Sequence, residues 1–204
     1  MKPLYVRAPA PPSAARALLD KFGYVDRDGD GWRDMPDGKP LTISMGSATT
    51  ARERDIDELW KRSMNAIGIR IDFVKQKWPD LLKMGRLGQL QSWRVGWITQ
   101  YAEGDAFAQL LYSGSIGQSN FARFKLPEYD ALYLESRSLP DGARRNGIYR
   151  RMAELVAAYT PWEIGVYTIE NTLVQPWVVG YKKHAYWEHP WLYIGVDSAQ
   201  LAAR

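Results

Sequence analysis

An α/β fold is the class this sequence predicts, and three observations carry the prediction. Ile69-Arg70-Ile71-Asp72-Phe73 alternates as a half-buried strand does, a short helix over about 79–87 follows, and 93–99 reads as another strand. Strand, helix and strand at this spacing form a βαβ unit, which favours parallel pairing and a right-handed crossover. With 204 residues, 46% of them hydrophobic, the chain is long enough to bury a proper core around such a sheet.

The other elements follow in order. Residues 1–12 read as an extended, proline-rich leader, after which Ser13 caps a short helix over 14–22 that ends at Gly23. An acidic, glycine-rich loop over 26–38 leads into a strand over 41–45. Thr50-Ala51-Arg52-Glu53 is a capping box opening a helix that runs to about Ile67 and closes at Gly68. Its apolar positions Ile56, Leu59, Trp60, Met64 and Ile67 keep helical spacing and describe one buried stripe. Further helices are expected over 105–112, 127–137 and 141–159, the second introduced by Pro127 and the third by Asp141. A last strand is expected over 163–169, with 173–175 continuing it up to Pro176. Beyond Pro176 the texture turns aromatic and turn-rich, with Trp177, Tyr181, Tyr186, Trp187, Trp191 and Tyr193. Such a tail suits packing on something else.

Composition removes several function classes. The formal charge is +4, but the basic residues are scattered, and no Lys/Arg run or zinc-finger spacing supports nucleic acid. There is no cysteine, so disulfides and thiolate catalysis are excluded. The first residues carry charge without an apolar stretch behind it, and no segment approaches the roughly 20 apolar residues of a spanning helix. The only histidines, His184 and His189, are five apart in the irregular tail, where a helix-borne zinc pair needs four. No nucleophile elbow, dinucleotide fingerprint or P-loop is present. The chain reads as a binder and not as an enzyme. Nine Trp and twelve Tyr suit a core, a ligand cleft or both.

Two stretches carry candidate chemistry. In 26–38, Asp26, Asp28 and Asp30 fall at loop positions 1, 3 and 5, Gly31 at 6, Asp34 at 9 and Asp37 at 12. That register can present oxygens to one calcium ion. Asp at position 12 in place of a bidentate Glu, the stiff Pro36 and a strand where an exiting helix belongs favour the other reading. In that reading the carboxylates cap backbone amides in an Asp/Gly-rich turn. The second stretch is 93–112, where a strand ends near Thr99 and a polar, acidic turn leads into a helix around Asp105. Ligand usually sits at the carboxyl end of the strands in an α/β sheet, which puts Trp97, Gln100 and Tyr101 at that edge. Glu103 and Asp105 are read as helix N-terminal groups that compensate the dipole.

Taken together, the segments resemble the carboxy-terminal lobe of family 5 extracytoplasmic solute-binding proteins, the peptide-type receptors of ABC importers. The landmarks are colinear over roughly 14–195. They run from Ala17-Leu18-Leu19-Asp20 and Phe22-Gly23-Tyr24 through the acidic loop to Asp37-Gly38-Lys39-Pro40-Leu41, then Ile67-Gly68-Ile69 and Gly96-Trp97. Phe107 to Tyr112, Pro127 to Leu132, Ile148-Tyr149-Arg150, Ala158 to Trp162 and Val174 to Tyr181 complete the series.

The resemblance implies a type II periplasmic-binding-protein-like lobe over 13–172 and a tail over 173–204 that crosses back to a first lobe absent from this chain. It implies a receptor that encloses a peptide-like ligand between two lobes by hinge motion, without covalent chemistry, and hands it to an ABC permease from the periplasm. No cofactor is required; calcium is the one ion the residues themselves propose. Where peptide-binding members carry an Asp for the ligand's amino group, three residues after the Trp, this chain has Gln100, an amide that offers no ion pair. Arg94 matches a position where some members face the ligand carboxylate with an arginine, and Tyr167 matches a cleft-facing tyrosine. For both, the alternatives are a solvated strand arginine and a packed core tyrosine.

Overall fold

The computed structural model describes residues 11–99, 103–166, 169, 171–183 and 190–202. Their contacts gather into two compact units, Met1–Val95 and Gly96–Arg204.

The first unit is built on a parallel sheet of three strands, β1 (Thr42–Ala48), β2 (Arg70–Gln76) and β3 (Ser92–Trp93), in the order β2-β1-β3. Between them lie α2 (Ala51–Asn65) and α3 (Trp78–Leu87), while α1 (Pro12–Lys21) precedes the sheet. β1 pairs with β2 along its whole length, from Thr42 opposite Arg70 to Ala48 opposite Gln76. On its other edge it meets β3 only at Met45–Ser92 and Gly46–Trp93. The crossover through α3 therefore passes over β1 and sends β3 to the far edge.

Alternation along β1 gives its two faces different neighbours. A Cβ on Gly46 would lie 3.1 Å from Leu81 of α3 and from Leu90, whereas the Ser47 hydroxyl donates to Asp57 of α2 over 2.9 Å. Met45, Ile69, Ile71 and Leu81 are the buried apolar residues here. The predicted cap is present: the Thr50 Oγ1 accepts from the Glu53 amide at 3.2 Å. Gly68, at φ 77°, lets the chain turn out of α2 into β2, a conformation a side chain would strain.

α1 buries none of its residues. Arginines tie it and the following loop to the carboxyl end of α2. The Arg16 Nε donates to the Ala66 carbonyl at 2.9 Å and the Arg33 Nε to the Ile67 carbonyl at 2.7 Å. The Arg33 guanidinium also reaches Asp20 at 2.5 Å and the Tyr24 carbonyl.

The second unit is mainly helical. α4 (Asp105–Ala108) runs into 3-10 turns at Gln109–Leu111 and Ser113–Ser115, and then come α5 (Pro127–Arg137) and α6 (Ala143–Tyr159). Ala108, Leu111, Tyr129, Tyr133, Ile148, Met152 and Leu155 form its core. Two polar groups complete that core by meeting backbone, which removes their desolvation cost. Asn120 donates to the carbonyls of Tyr112 and Phe124, both at 3.0 Å, and Tyr129 donates to the Ala108 carbonyl at 2.9 Å. α6 ends where Thr160 takes a left-handed φ of 48° ahead of Pro161. Short strands β4 (Val178–Val179) and β5 (Gly195–Val196) pair antiparallel, and α7 (Ser198–Ala202) follows.

Several expectations need correction. The strand expected over 93–99 is paired only at Ser92–Trp93, and 94–99 carry no regular structure. Apolar content there is real, but Val95, Trp97 and Ile98 are exposed, so alternation had no covering layer to act on. The strand expected over 163–169 is likewise absent from its described residues 163–166 and 169, with Val166 87% exposed. Leu173, at 96%, shows the same for the proposed continuation. An extended segment needs a neighbour for its backbone groups, and none is paired with these. The helix expected over 105–112 stops at Ala108 and tightens into 3-10 turns. On α2, Leu59 is 56% exposed and not part of a buried stripe; the buried residue is Asp57.

Candidate functional site

In an open parallel sheet the strands' carboxyl ends are where loops diverge and ligands bind. In the first unit that edge carries Ser47 at the end of β1, Lys75 at the end of β2 and Arg94 just after β3. Ser47 and Lys75 are register partners, so their side chains stand side by side on one face. α2 supplies an acid to each basic group. Asp57 is ion-paired with Lys75, whose ammonium also lies 3.1 Å from the Ser47 hydroxyl. Glu53, one helical turn earlier, is ion-paired with Arg94. Glu53 and Asp57 are four apart and therefore share a helix face. Sequence reasoning gave Glu53 a capping role only and passed over Asp57. An acid set inside the apolar stripe, between Ile56 and Trp60, was the legible signal for Asp57.

The acidic loop is held by its own backbone. The two Asp26 oxygens accept from the amides of Gly29 and Gly31 at 2.7 and 2.9 Å. Asp28 accepts from Asp30, Asp30 from Trp32, and buried Asp34 from Arg27. Asp30 is also ion-paired with Arg70, and Asp37 with Lys39 at 2.7 Å. That side-chain hydrogen bond from Lys39, with a second from its amide, lowers the Asp37 pKa. Of the five predicted calcium ligands, Asp26, Asp28 and Asp34 bring carboxylate oxygens within 4.8 Å of one another. Asp30 and Asp37 are not in that group.

In the second unit, Trp97 is exposed in a segment without regular structure. Gln100, Tyr101 and Tyr167, the other predicted ligand residues, lie outside the described residues, as do His184 and His189. Glu103 and Asp105 differ in use. The Glu103 carboxylate accepts from buried Arg145 at 3.1 Å, and Arg145 also donates to Asp141 at 2.8 Å. Burial opposes the Arg145 charge, but these hydrogen bonds outweigh it and hold its pKa above the ordinary value. The guanidinium lies over the Tyr149 ring, and that ring packs closely on Gly104, with its nearest atom 3.1 Å from where a Cβ would stand. The N-cap of α4 is Gly104, and Asp105 stands as the acid in the first turn.

A family model described as Bacterial extracellular solute-binding proteins, family 5 Middle, matches residues 2–119. The chain belongs to this family. Periplasmic oligopeptide-binding protein OppA of Escherichia coli K12 is 29% identical over 171 residues, covering 82% of this chain and 28% of the relative. Heme-binding protein A of Haemophilus influenzae is 27% identical over 191 residues, covering 93% of this chain and 33% of the relative. Among solved structures, the oligopeptide-binding protein AppA from Bacillus subtilis, in complex with a nonapeptide, aligns with a TM-score of 0.66 at 20% identity. That match covers 78% of this chain and 32% of AppA. The fold is thus that of type II periplasmic binding proteins, as the resemblance implied. The chain spans a third or less of the length of these relatives. A free-standing calcium module, the alternative raised by the acidic loop, gains no support from these family 5 relatives.

Proposed function

We propose that this chain is part of the solute-binding component of an ABC importer, capturing a peptide-like or related small ligand between two lobes. The observation that carries the proposal is the family 5 match across residues 2–119. In this reading 13–172 supply the second lobe and 173–204 return to a first lobe that lies outside the chain. The exposed apolar residues Ile164, Val166, Ile169, Leu173, Trp191 and Leu192 support it, because uncovered apolar surface on that scale suits burial against another body. The receptor works in the periplasm, as the name of the periplasmic oligopeptide-binding protein OppA indicates for that relative, and hands its ligand to a membrane permease. It binds and does not transform. Among the described residues no helix is long and apolar enough to cross a membrane.

Trp97, Tyr101 and Tyr167 supply stacking walls in this proposal, and Gln100 and Arg94 supply polar contacts. Gln100 can accept from a ligand N–H but brings no charge, which weakens the case for an obligatory free amine. The test is a thermal-shift screen of the complete receptor against free-amine peptides, their N-acetylated forms and neutral oligosaccharides. A raised melting temperature with either peptide set supports a peptide-like ligand. Stabilisation by oligosaccharides alone would overturn it.

A further inference from the structure

We infer that Glu53 is a specificity-determining residue: by engaging Arg94 at the carboxyl edge of the sheet, it keeps that arginine from serving as a receptor for a ligand carboxylate. The inference rests on the proposal that this edge faces ligand.

Three observations carry it. Arg94 immediately follows β3, and its ion pair is made to Glu53, an acid in the first turn of the helix that follows β1. The Glu53 side chain is 17% exposed against 37% for Arg94, and its backbone amide is held by the Thr50 cap. The neighbouring base is treated alike, since Lys75 is engaged by Asp57 and Ser47. The two bases and two acids at this edge sum to zero charge. A carboxylate approaching Arg94 would have to displace a covalently tethered carboxylate already in place, and would meet its repulsion. An amide, hydroxyl or other uncharged acceptor takes the remaining guanidinium N–H groups without that conflict. The edge therefore selects an uncharged, hydrogen-bonding portion of the ligand.

The experiment uses the complete receptor, wild type and Glu53→Gln, with two probes that differ in one charge: the tripeptide Ala-Phe-Ala and its C-terminal carboxamide. The wild type is expected to bind the carboxamide at least as tightly as the acid. Glu53→Gln is expected to shift the affinity ratio toward the acid by about tenfold, and adding Arg94→Gln should abolish the shift. An unchanged ratio would overturn the inference. Phenylglyoxal modification of Arg94, located by mass spectrometry, gives a readout that needs no ligand. Arg94 should react several-fold faster in Glu53→Gln and in Glu53→Ala than in the wild type, and equal rates would overturn the pairing. If neither peptide binds any of these proteins, the peptide-like reading fails while the modification rates still decide the role of Glu53.

Discussion

Asp57, Lys75 and Ser47 form a polar knot between α2 and the sheet whose two charged members are unequally placed. The Lys75 side chain is 38% exposed and the Asp57 side chain 8%. Removing the base strands a buried carboxylate, whereas removing the acid lets the lysine turn to water. Lys75→Met should therefore cost about 2–3 kcal/mol and Asp57→Asn about 1 kcal/mol, in urea titrations of the two variants. The reverse order would mean the lysine is the trapped partner. Tyr129 gives a pH dependence. Burial, with Tyr133 and Asp130 nearby, raises its pKa well above the ordinary 10.0. The folded state then holds the proton that the unfolded state releases, so stability is intact below pH 10 and declines as pH rises beyond it. Tyr129→Phe should show a shallower alkaline decline when melting temperatures are compared between pH 8 and 11. In the acidic loop the carboxylates already accept backbone amides, and Asp30 and Asp37 are engaged by Arg70 and Lys39. Adding EGTA is expected to leave the melting temperature unchanged; a clear drop would reveal bound calcium.

At the scale of elements, two helical glycines invite opposite outcomes. A Cβ at Gly85 of α3 would sit 2.7 Å from the Trp93 ring, itself stacked near Trp78 with centroids 5.7 Å apart. Gly147 of α6 has nothing within 4 Å of its Cβ position. Gly147→Ala should stabilise by about 0.5–1 kcal/mol through helix propensity alone. Gly85→Ala should lose about 1–2 kcal/mol because overpacking outweighs the same gain. Thermal melts of both variants decide this.

The elements legible in the sequence were those whose signals are local: the Thr50 cap, the Gly68 exit, the proline-led α5 and the alternation of β2. Less legible were elements whose state depends on a neighbour. The stretch over 94–99 has the composition of a strand, but only Trp93 and Ser92 find β1. Leu59 keeps helical spacing but meets no covering layer. At the sheet's carboxyl edge, Arg94 was singled out only through the family resemblance, and its partner Glu53, 41 residues away in sequence, becomes its neighbour only through the fold. Asp57 likewise meets Lys75 and Ser47 only once α2 packs on the sheet.

At the scale of the molecule, the proposal that this chain supplies one lobe of a two-lobed receptor gives the uncovered apolar side chains of the second unit a use, as surface to be buried against the other lobe. Closure around a ligand distributes binding contacts over both lobes, so one lobe forfeits most of the affinity. Isothermal titration of a peptide identified in the thermal-shift screen, into the complete receptor and into the 204-residue chain alone, tests this most directly. Tight binding by the complete receptor with a loss of at least about a hundredfold in the chain alone is the predicted result. Equal affinity in the two would contradict the account, since the site would then lie within a single lobe.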